Sequence, residues 1–276
     1  MQIAPRYDGP PVLAFDPVPV DPGVPMLHQR RRLGAMLATL DESQWDHPSR
    51  CVDWSVRDVV THLVTVNAFW AASTVAGRAG TPTRVLDGFD PVTVPALLVD
   101  ASPTASTAEL LAAYDDSVDS MATALEGIDT DGWAQLAESV PGHVPISSLV
   151  LHALWDSWVH ERDIAIPLGL DVAVEPDEVA GSLRYVVAMG PAFLALCGSD
   201  RTGTFAVAAS APDARLVVEI GPDVVVRDGG PGGLATVTGD AVDLVESFSL
   251  RTPAPALPGP DGWMVAGLAA LFEQSA

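Results

Sequence analysis

The chain has 276 residues, enough for one large or two ordinary domains, and 48% of them are hydrophobic. Acidic residues outnumber basic residues by 36 to 14, so the formal net charge is −22. This charge disfavours nucleic-acid and membrane-surface partners, because it repels phosphate backbones and anionic lipid headgroups. All 14 basic residues are arginine, which excludes lysine Schiff-base chemistry, and the two cysteines do not form a CxxC motif. A reducing cytoplasm is the expected location.

Residues 1–24 are rich in proline and carry a single arginine, Arg6. They contain no apolar run long enough for a signal peptide, and we predict an extended arm that lies along the surface. No stretch of the chain approaches about 20 uninterrupted apolar residues, so we expect no membrane span.

Helical periodicity dominates residues 25–172, which we predict to form a metal-binding four-helix bundle. The first helix covers about residues 25 to 40, and its consecutive arginines at 30–32 are expected on a solvated face. A capping box of Ser55 and Asp58 predicts that the second helix begins at Val56.

A long connection rich in glycine and proline follows at residues 77–103 and is expected to border the mouth of a site. Ser106 and Glu109 form a second capping box, which starts a third helix that runs to about residue 128. The fourth helix extends over residues 146–166 and ends in Pro167-Leu168-Gly169.

Three side chains on the second and fourth helices suggest a metal site. Asp156 and His160 lie four residues apart on the apolar face of the fourth helix, with Cβ atoms about 5–6 Å apart. His62 lies on the apolar face of the second helix, which in a bundle can face the fourth. Two imidazoles and one carboxylate suit zinc, nickel or iron(II) and leave a coordination position open.

A fourth candidate, His152, precedes Asp156 by one helical turn. It is separated from His160 by about 12 Å of helical rise, so one ion is not expected to bind both. We expect either a supporting role beside the site or ordinary core packing.

Two motifs resemble those of a known family. The stretch from Trp45 to Leu63 resembles the pattern W…P…C.GW.VRD…HL, and that from Trp155 to Gly169 resembles …[ED]…H..D…LG. Both patterns are typical of the mycothiol-dependent maleylpyruvate isomerase family, a branch of the DinB-like four-helix metalloproteins. The resemblance implies that His62, Asp156 and His160 bind a divalent metal, usually zinc, and that the thiol mycothiol is a co-substrate.

After residue 172 the sequence changes character. A helix at 175–197 leads into four short β-branched segments at 205–209, 216–220, 224–227 and 235–238, followed by helices at 240–250 and 263–272. We predict that residues 173–276 form a small α/β domain with a mostly antiparallel sheet. Residues 235–244 resemble the C-terminal domain of the same family, which is similar to sterol carrier proteins. The predicted fold class is therefore α plus α/β, a DinB-like four-helix bundle followed by a sterol-carrier-like domain.

The first functional hypothesis is a metal- and mycothiol-dependent isomerase or thiol S-transferase that acts on a small electrophile bearing a carboxylate. Arg215 and Arg227, if they face the bundle, are candidates to hold that carboxylate. One alternative is a metal-dependent hydrolase of small molecules. Another is a non-enzymatic protein that binds a small ligand. The sequence allows a monomer or a homodimer.

Overall fold

The computed structural model describes residues 3–273 except for residues 92, 104 and 258, with the side chains of 271–273 left aside. The described residues form both helices and strands. The helices are α1 (Gly23–Leu37), α2 (Glu42–Trp45), α3 (Val56–Arg78), α4 (Val94–Ala101), α5 (Thr107–Leu125), α6 (Thr130–Ala134), α7 (Ile146–Ala165), α8 (Pro176–Leu196), α9 (Ala241–Phe248) and α10 (Trp263–Glu273). The strands are β1 (Leu13–Asp16), β2 (Leu136–Ser139), β3 (Gly142–Pro145), β4 (Gly203–Ser210), β5 (Ala214–Ile220), β6 (Val224–Asp228) and β7 (Thr236–Asp240).

Four long helices hold the candidate site. Helices α1 and α3 each pack against both α5 and α7, so that α7 lies inside the assembly with most of its length buried. Both predicted capping boxes are present: the Ser55 hydroxyl accepts from the backbone N–H of Asp58, and that of Ser106 accepts from Glu109. These caps fix where α3 and α5 begin.

A five-stranded sheet with the order β1-β6-β5-β4-β7 forms the second half of the molecule. Strands β4, β5 and β6 are antiparallel neighbours, whereas β1 and β7 are added in parallel at the two edges. Helix α8 packs against α7 on one side and against β5, β6, α9 and α10 on the others. It therefore joins the helical half to the sheet.

Three elements were not predicted from the sequence. The N-terminal arm is more than a surface segment, because β1 pairs with β6 and the side chains of Ile3, Val12 and Leu13 are buried in the core of the sheet half. The connection at 77–103 contains the helix α4, and residues 136–145 form the β2–β3 hairpin. Each of these short elements gains its stability from contact with distant parts of the chain.

By length and composition, α3 and α8 are apolar enough to cross a membrane. Both helices pack against other helices in this fold, and α8 is mostly buried. A core helix of a globular protein passes the same test, so this is weak evidence for a membrane segment.

Candidate metal centre

His62, Asp156 and His160 come together where α3 faces α7. The Nε2 atoms of His62 and His160 lie 3.8 Å and 3.7 Å from Oδ1 of Asp156. One ligand atom from each residue can be chosen so that all three lie within 4.8 Å of one another. The three side chains are largely buried, with 11% to 13% of their surfaces exposed. Both nitrogens and the carboxylate oxygen therefore point toward one shared position.

The donor atoms at this position suit a divalent metal. Oδ2 of Asp156 is buried and accepts no hydrogen bond from any residue that the structure describes, so it keeps its lone pairs for another partner. Two imidazoles with one carboxylate are a common donor set for zinc and for iron(II), and they leave coordination positions open. The residues present thus fit the metal that the sequence motifs imply.

A hydrogen bond to Asp163 fixes the orientation of the His160 ring. Its Nδ1 lies 3.0 Å from Oδ2 of Asp163, and this carboxylate is fully buried. An Nδ1–H donated to Asp163 leaves the lone pair of Nε2 directed at Asp156 and His62. Metal-binding histidines typically have such a carboxylate partner.

Asp163 is in turn held by two arginines. Arg251 donates to its two oxygens at 2.9 Å and 2.8 Å, and Arg50 donates to Oδ1 at 3.0 Å. Burial alone would raise the pKa of Asp163, but the hydrogen bond from His160 and the charge of Arg251 hold that pKa well below its usual range. Arg50 also forms a bidentate pair with Glu246 on α9, so this cluster connects α7 to the sheet half.

The charges of Asp156 and His160 stabilise one another. Burial opposes the charged form of His160, yet Asp156 and Asp163 together raise its pKa to about 10. Burial would raise the pKa of Asp156, but His160 and His62 hold it well below its usual range. In the metal-free protein the site therefore holds a carboxylate next to an imidazolium.

A second group of potential ligands comprises Cys51, His160 and Asp163. Asp163 already accepts from two guanidinium groups, and Nδ1 of His160 already donates to that carboxylate. A metal there would have to displace both arginines, so the group around Asp156 is the better candidate.

His62, Asp156 and His160, the metal-type residues, form part of the wall of a cavity of about 480 Å³. Most of the lining is aromatic or aliphatic and comes from α3, α7, α8, α10, residues 89–98 and residues 249–251. The lining residues are Trp54, His62, Thr65, Val66, Trp70, Phe89, Pro91, Pro95, Leu98, Val140, His152, Trp155, Asp156, Val159, His160, Met189, Phe193, Ser249, Leu250, Arg251 and Leu268. The connection at 77–103 does border this cavity.

His152 also lines the cavity, in a setting that sequence alone left open. Its Nδ1 lies 2.9 Å from the hydroxyl of Tyr185 and 3.0 Å from that of Ser139. Burial lowers the pKa of His152 to about 4. The imidazole is therefore neutral at physiological pH.

The two arginines predicted to bind a substrate carboxylate, Arg215 and Arg227, lie outside the cavity lining. Arg215 pairs with Asp213, and Arg227 pairs with Asp16 and Glu219 on the face of the sheet turned away from the cavity. The sheet alternates, so strands whose Leu216 and Val226 point into the core direct these two arginines outward. Neither arginine is among the described residues that line the cavity, so the structure does not bring them to the site.

The arginine triplet on α1 also departs from expectation. Only Arg31 is exposed; Arg30 is fully buried, with Nε donating to Asn67 at 2.8 Å, and Arg32 pairs with Glu161 and Glu178. Consecutive residues point 100° apart on a helix, so a triplet of like charges need not share a solvated face.

A family model described as the mycothiol maleylpyruvate isomerase N-terminal domain matches residues 26–165. The chain belongs to this family. The matched region contains α1 to α7 apart from the first residues of α1, and with them all three metal-type residues. It also contains Asp163, which the second sequence motif includes and which the sequence analysis did not single out.

Two solved structures are similar to the chain well beyond the family domain. One is a crystal structure of the mycothiol-dependent maleylpyruvate isomerase, with 16% sequence identity and a TM-score of 0.60. The other is a mutant of that isomerase, with 14% identity and a TM-score of 0.61. Each match covers 89% of this chain and 95% of the other. At this identity the likeness shows a shared mixed helix-and-sheet fold that includes the sheet half. A search among curated proteins finds no match.

Proposed function

We propose that this protein is a metal-dependent enzyme that uses mycothiol to isomerise a small electrophile or to conjugate it to the thiol. The observation that carries this proposal is the convergence of His62, Asp156 and His160 on one wall of a largely apolar cavity. Membership of the family supports mycothiol as the thiol. Zinc is the proposed metal, with nickel or iron as the alternatives.

His62, Asp156 and His160 would hold the metal through their two Nε2 atoms and the Asp156 carboxylate. A divalent cation there lowers the pKa of a bound thiol, so that a strong nucleophile is available at neutral pH. The protein residues orient the ligands and position the substrate. Asp163 keeps the proton of His160 on Nδ1. The aromatic walls exclude water and position the electrophile against the sulfur.

The nucleophile separates the two enzymatic hypotheses. A thiol-dependent enzyme needs added mycothiol for turnover, whereas a hydrolase uses water activated at the same position. In an isomerase the thiol is recovered after the carbon skeleton has rotated, and in a transferase the thioether remains as product.

The test is an assay of maleylpyruvate isomerisation and of thiol consumption, with and without mycothiol and with and without a chelator. Asp156→Asn removes the carboxylate charge with little change in volume, and Ser120→Ala on the exposed side of α5 is a matched surface control. We expect turnover that requires both mycothiol and metal and that Asp156→Asn abolishes. Undiminished turnover by metal-free protein, or turnover without thiol, would contradict the proposal.

The remaining assignments are also proposals. We propose residues 25–172 as the metal-binding four-helix bundle, residues 173–276 as a sterol-carrier-like domain, and residues 1–24 as an arm that adds β1 to the sheet. A cytoplasmic monomer or homodimer without nucleic-acid or membrane partners is in keeping with the net charge of −22.

A further inference from the structure

His143 connects the N-terminal arm to the segment that borders the cavity. It lies on β3, where its Nδ1 is 3.1 Å from the carbonyl oxygen of Tyr7 and its Nε2 is 2.9 Å from the carbonyl oxygen of Thr83. From Thr83 the chain continues to Phe89 and Pro91, which line the cavity. The two contacts of one imidazole therefore tie the arm to the segment that carries part of the cavity wall.

Both contacts together require a positively charged ring. A carbonyl oxygen only accepts hydrogen bonds, so each ring nitrogen of His143 must carry a proton to donate to it. A neutral imidazole has one N–H and one lone pair. It makes only one of the two bonds and directs its lone pair at the other carbonyl oxygen. The observed geometry therefore fits the imidazolium form, which donates to both oxygens at once.

A buried carboxylate makes the two contacts depend on each other. Glu138 is fully buried and lies opposite His143 in the β2–β3 hairpin. It accepts from the hydroxyls of Tyr7 and Thr83, each at 2.7 Å, and from the backbone N–H groups of residues 85–86 at 2.9 Å and 2.8 Å. Tyr7 and Thr83 are thus each held twice, once by Glu138 and once by His143. If either backbone segment moves away from a neutral ring, the buried carboxylate also loses a donor.

Among these four residues, His143 is the one that can change charge near neutral pH. Burial would raise the pKa of Glu138, but the hydrogen bonds from Thr83 and from the backbone of residues 85–86 hold that pKa below its usual value. Burial and the hydrogen bond to Glu138 raise the pKa of Tyr7. Neither group therefore titrates between about pH 5 and 8, the range in which histidine side chains commonly do. The charged or titratable groups on the segments around the ring are Arg6, Tyr7, Asp8, Arg84, Asp87 and Glu138.

We propose that His143 is a positioning residue whose protonated ring holds residues 83–91 against the cavity and whose neutral ring releases them. As pH rises through the titration of His143, the bond to Tyr7 or the bond to Thr83 is lost. Glu138 then loses a donor, and the segment becomes free to move. The contacts are complete at the acid end of this titration and incomplete at the alkaline end.

The first test follows the proton count of His143 and the opening of residues 83–91 in the same samples. Nitrogen–proton correlation spectra distinguish an imidazolium from either neutral tautomer, and hydrogen exchange, corrected for the intrinsic rate at each pH, measures opening. We expect protection at 83–91 to fall about tenfold or more as pH rises, with the midpoint of the His143 titration, as for the loss of one hydrogen bond from a charged donor. Constant protection while His143 loses its proton overturns the proposal. So does a ring that stays neutral, or stays charged, over the whole pH range in which the protein remains folded.

Two variants separate this role from ordinary packing. His143→Gln keeps a donor but has no proton to lose, so it should remove the pH dependence of protection at 83–91, whereas His47→Gln, at an exposed histidine, should keep it. Tyr7→Phe removes one donor to Glu138 and leaves the carbonyl contact, so it should lower protection at every pH and keep the pH dependence. If His143→Gln retains the pH dependence of the parent, another group causes it. If His143→Gln lowers protection throughout the chain, its role is structural; both results overturn the proposal.

Turnover tests the consequence for the cavity. The contacts of His143 involve neither the metal nor the thiol, so the spectra and the exchange data decide this inference even if the proposed function fails. If the protein isomerises maleylpyruvate, His143→Gln should raise KM at least about threefold and leave kcat within about twofold, because residues 83–91 form cavity wall and hold none of the metal-type residues. An unchanged KM in a variant that has lost protection at 83–91 would show that the segment does not position the substrate, which overturns the role of His143 in the site.

Discussion

Asp163 is expected to control metal affinity although it is not one of the proposed ligands. The substitution Asp163→Asn keeps the size of the side chain and removes its charge. An asparagine offers one acceptor oxygen where Asp163 now receives hydrogen bonds from His160, Arg50 and Arg251. The Nδ1–H of His160 then competes with two guanidinium groups, and its imidazole is no longer held with Nε2 toward Asp156.

The loss of such a partner typically costs about 10- to 100-fold in metal affinity, or about 1.4–2.8 kcal/mol. Removal of one partner of a buried ion pair also lowers the free energy of unfolding, by about 3–5 kcal/mol. The two effects must be separated. Glu246→Gln is the matched control, because Glu246 pairs with the same Arg50 at 2.8 Å and 3.0 Å but makes no contact with His160 in the described structure.

Zinc affinity is measured by competition with a chromophoric chelator, and the free energy of unfolding by urea titration of the metal-free proteins. We expect both variants to lose stability and only Asp163→Asn to lose zinc affinity. If Asp163→Asn binds zinc as tightly as the parent protein, then the hydrogen bond to Nδ1 of His160 does not position this ligand and the reasoning is refuted.

Three further predictions concern the ligands, the cavity mouth and the helix packing. The pKa of His160 is raised from 6.5 to about 10 in the metal-free protein, so its contribution to stability is complete below pH 6.5 and is lost as pH rises through about 10. Urea titrations across this range should show that loss, which a stability that rises with pH would contradict. Glu138→Gln replaces a buried acceptor of hydrogen bonds from Tyr7, Thr83 and the backbone of 85–86, so hydrogen exchange should rise at 83–91 but not throughout the chain. Gly267→Ala places a Cβ 2.4 Å from the carbonyl oxygen of Gly190, so it should lower the free energy of unfolding by about 1–3 kcal/mol. Gly262→Ala is the control, because its nearest contact is at 3.5 Å, and it should lower the free energy of unfolding by less than about 1 kcal/mol. Equal losses in the two variants would show that the α8–α10 contact tolerates the extra atom.

Local signals in the sequence explain what could be predicted. The capping boxes at Ser55 and Ser106 act within four residues, so the starts of α3 and α5 follow from sequence alone. The spacing of Asp156 and His160 puts both on one helical face, and the apolar pattern of α3 places His62 on the face that meets them. These local signals are enough to predict that His62, Asp156 and His160 lie close together.

The features that were missed depend on partners far away in the chain. Strand β1 is four residues long and is stable only because β6 pairs with it. Arg251 reaches the site because its partner, Asp163, is buried on α7, and nothing near Arg251 in the sequence marks that role. The outward direction of Arg215 and Arg227 follows from the register of the sheet, which was not known from the segments alone.

The measurement that tests the central claim most directly is elemental analysis of protein purified without chelators or metal-affinity resin. The parent protein is compared with His62→Ala, Asp156→Ala and His160→Ala, each checked for folding, and with His47→Ala as an exposed histidine control. We predict about one equivalent of zinc or another divalent metal in the parent and the control, as for a site with three protein ligands, and its loss in the three site variants. A folded parent that contains no metal and takes up none when zinc is supplied would contradict the account.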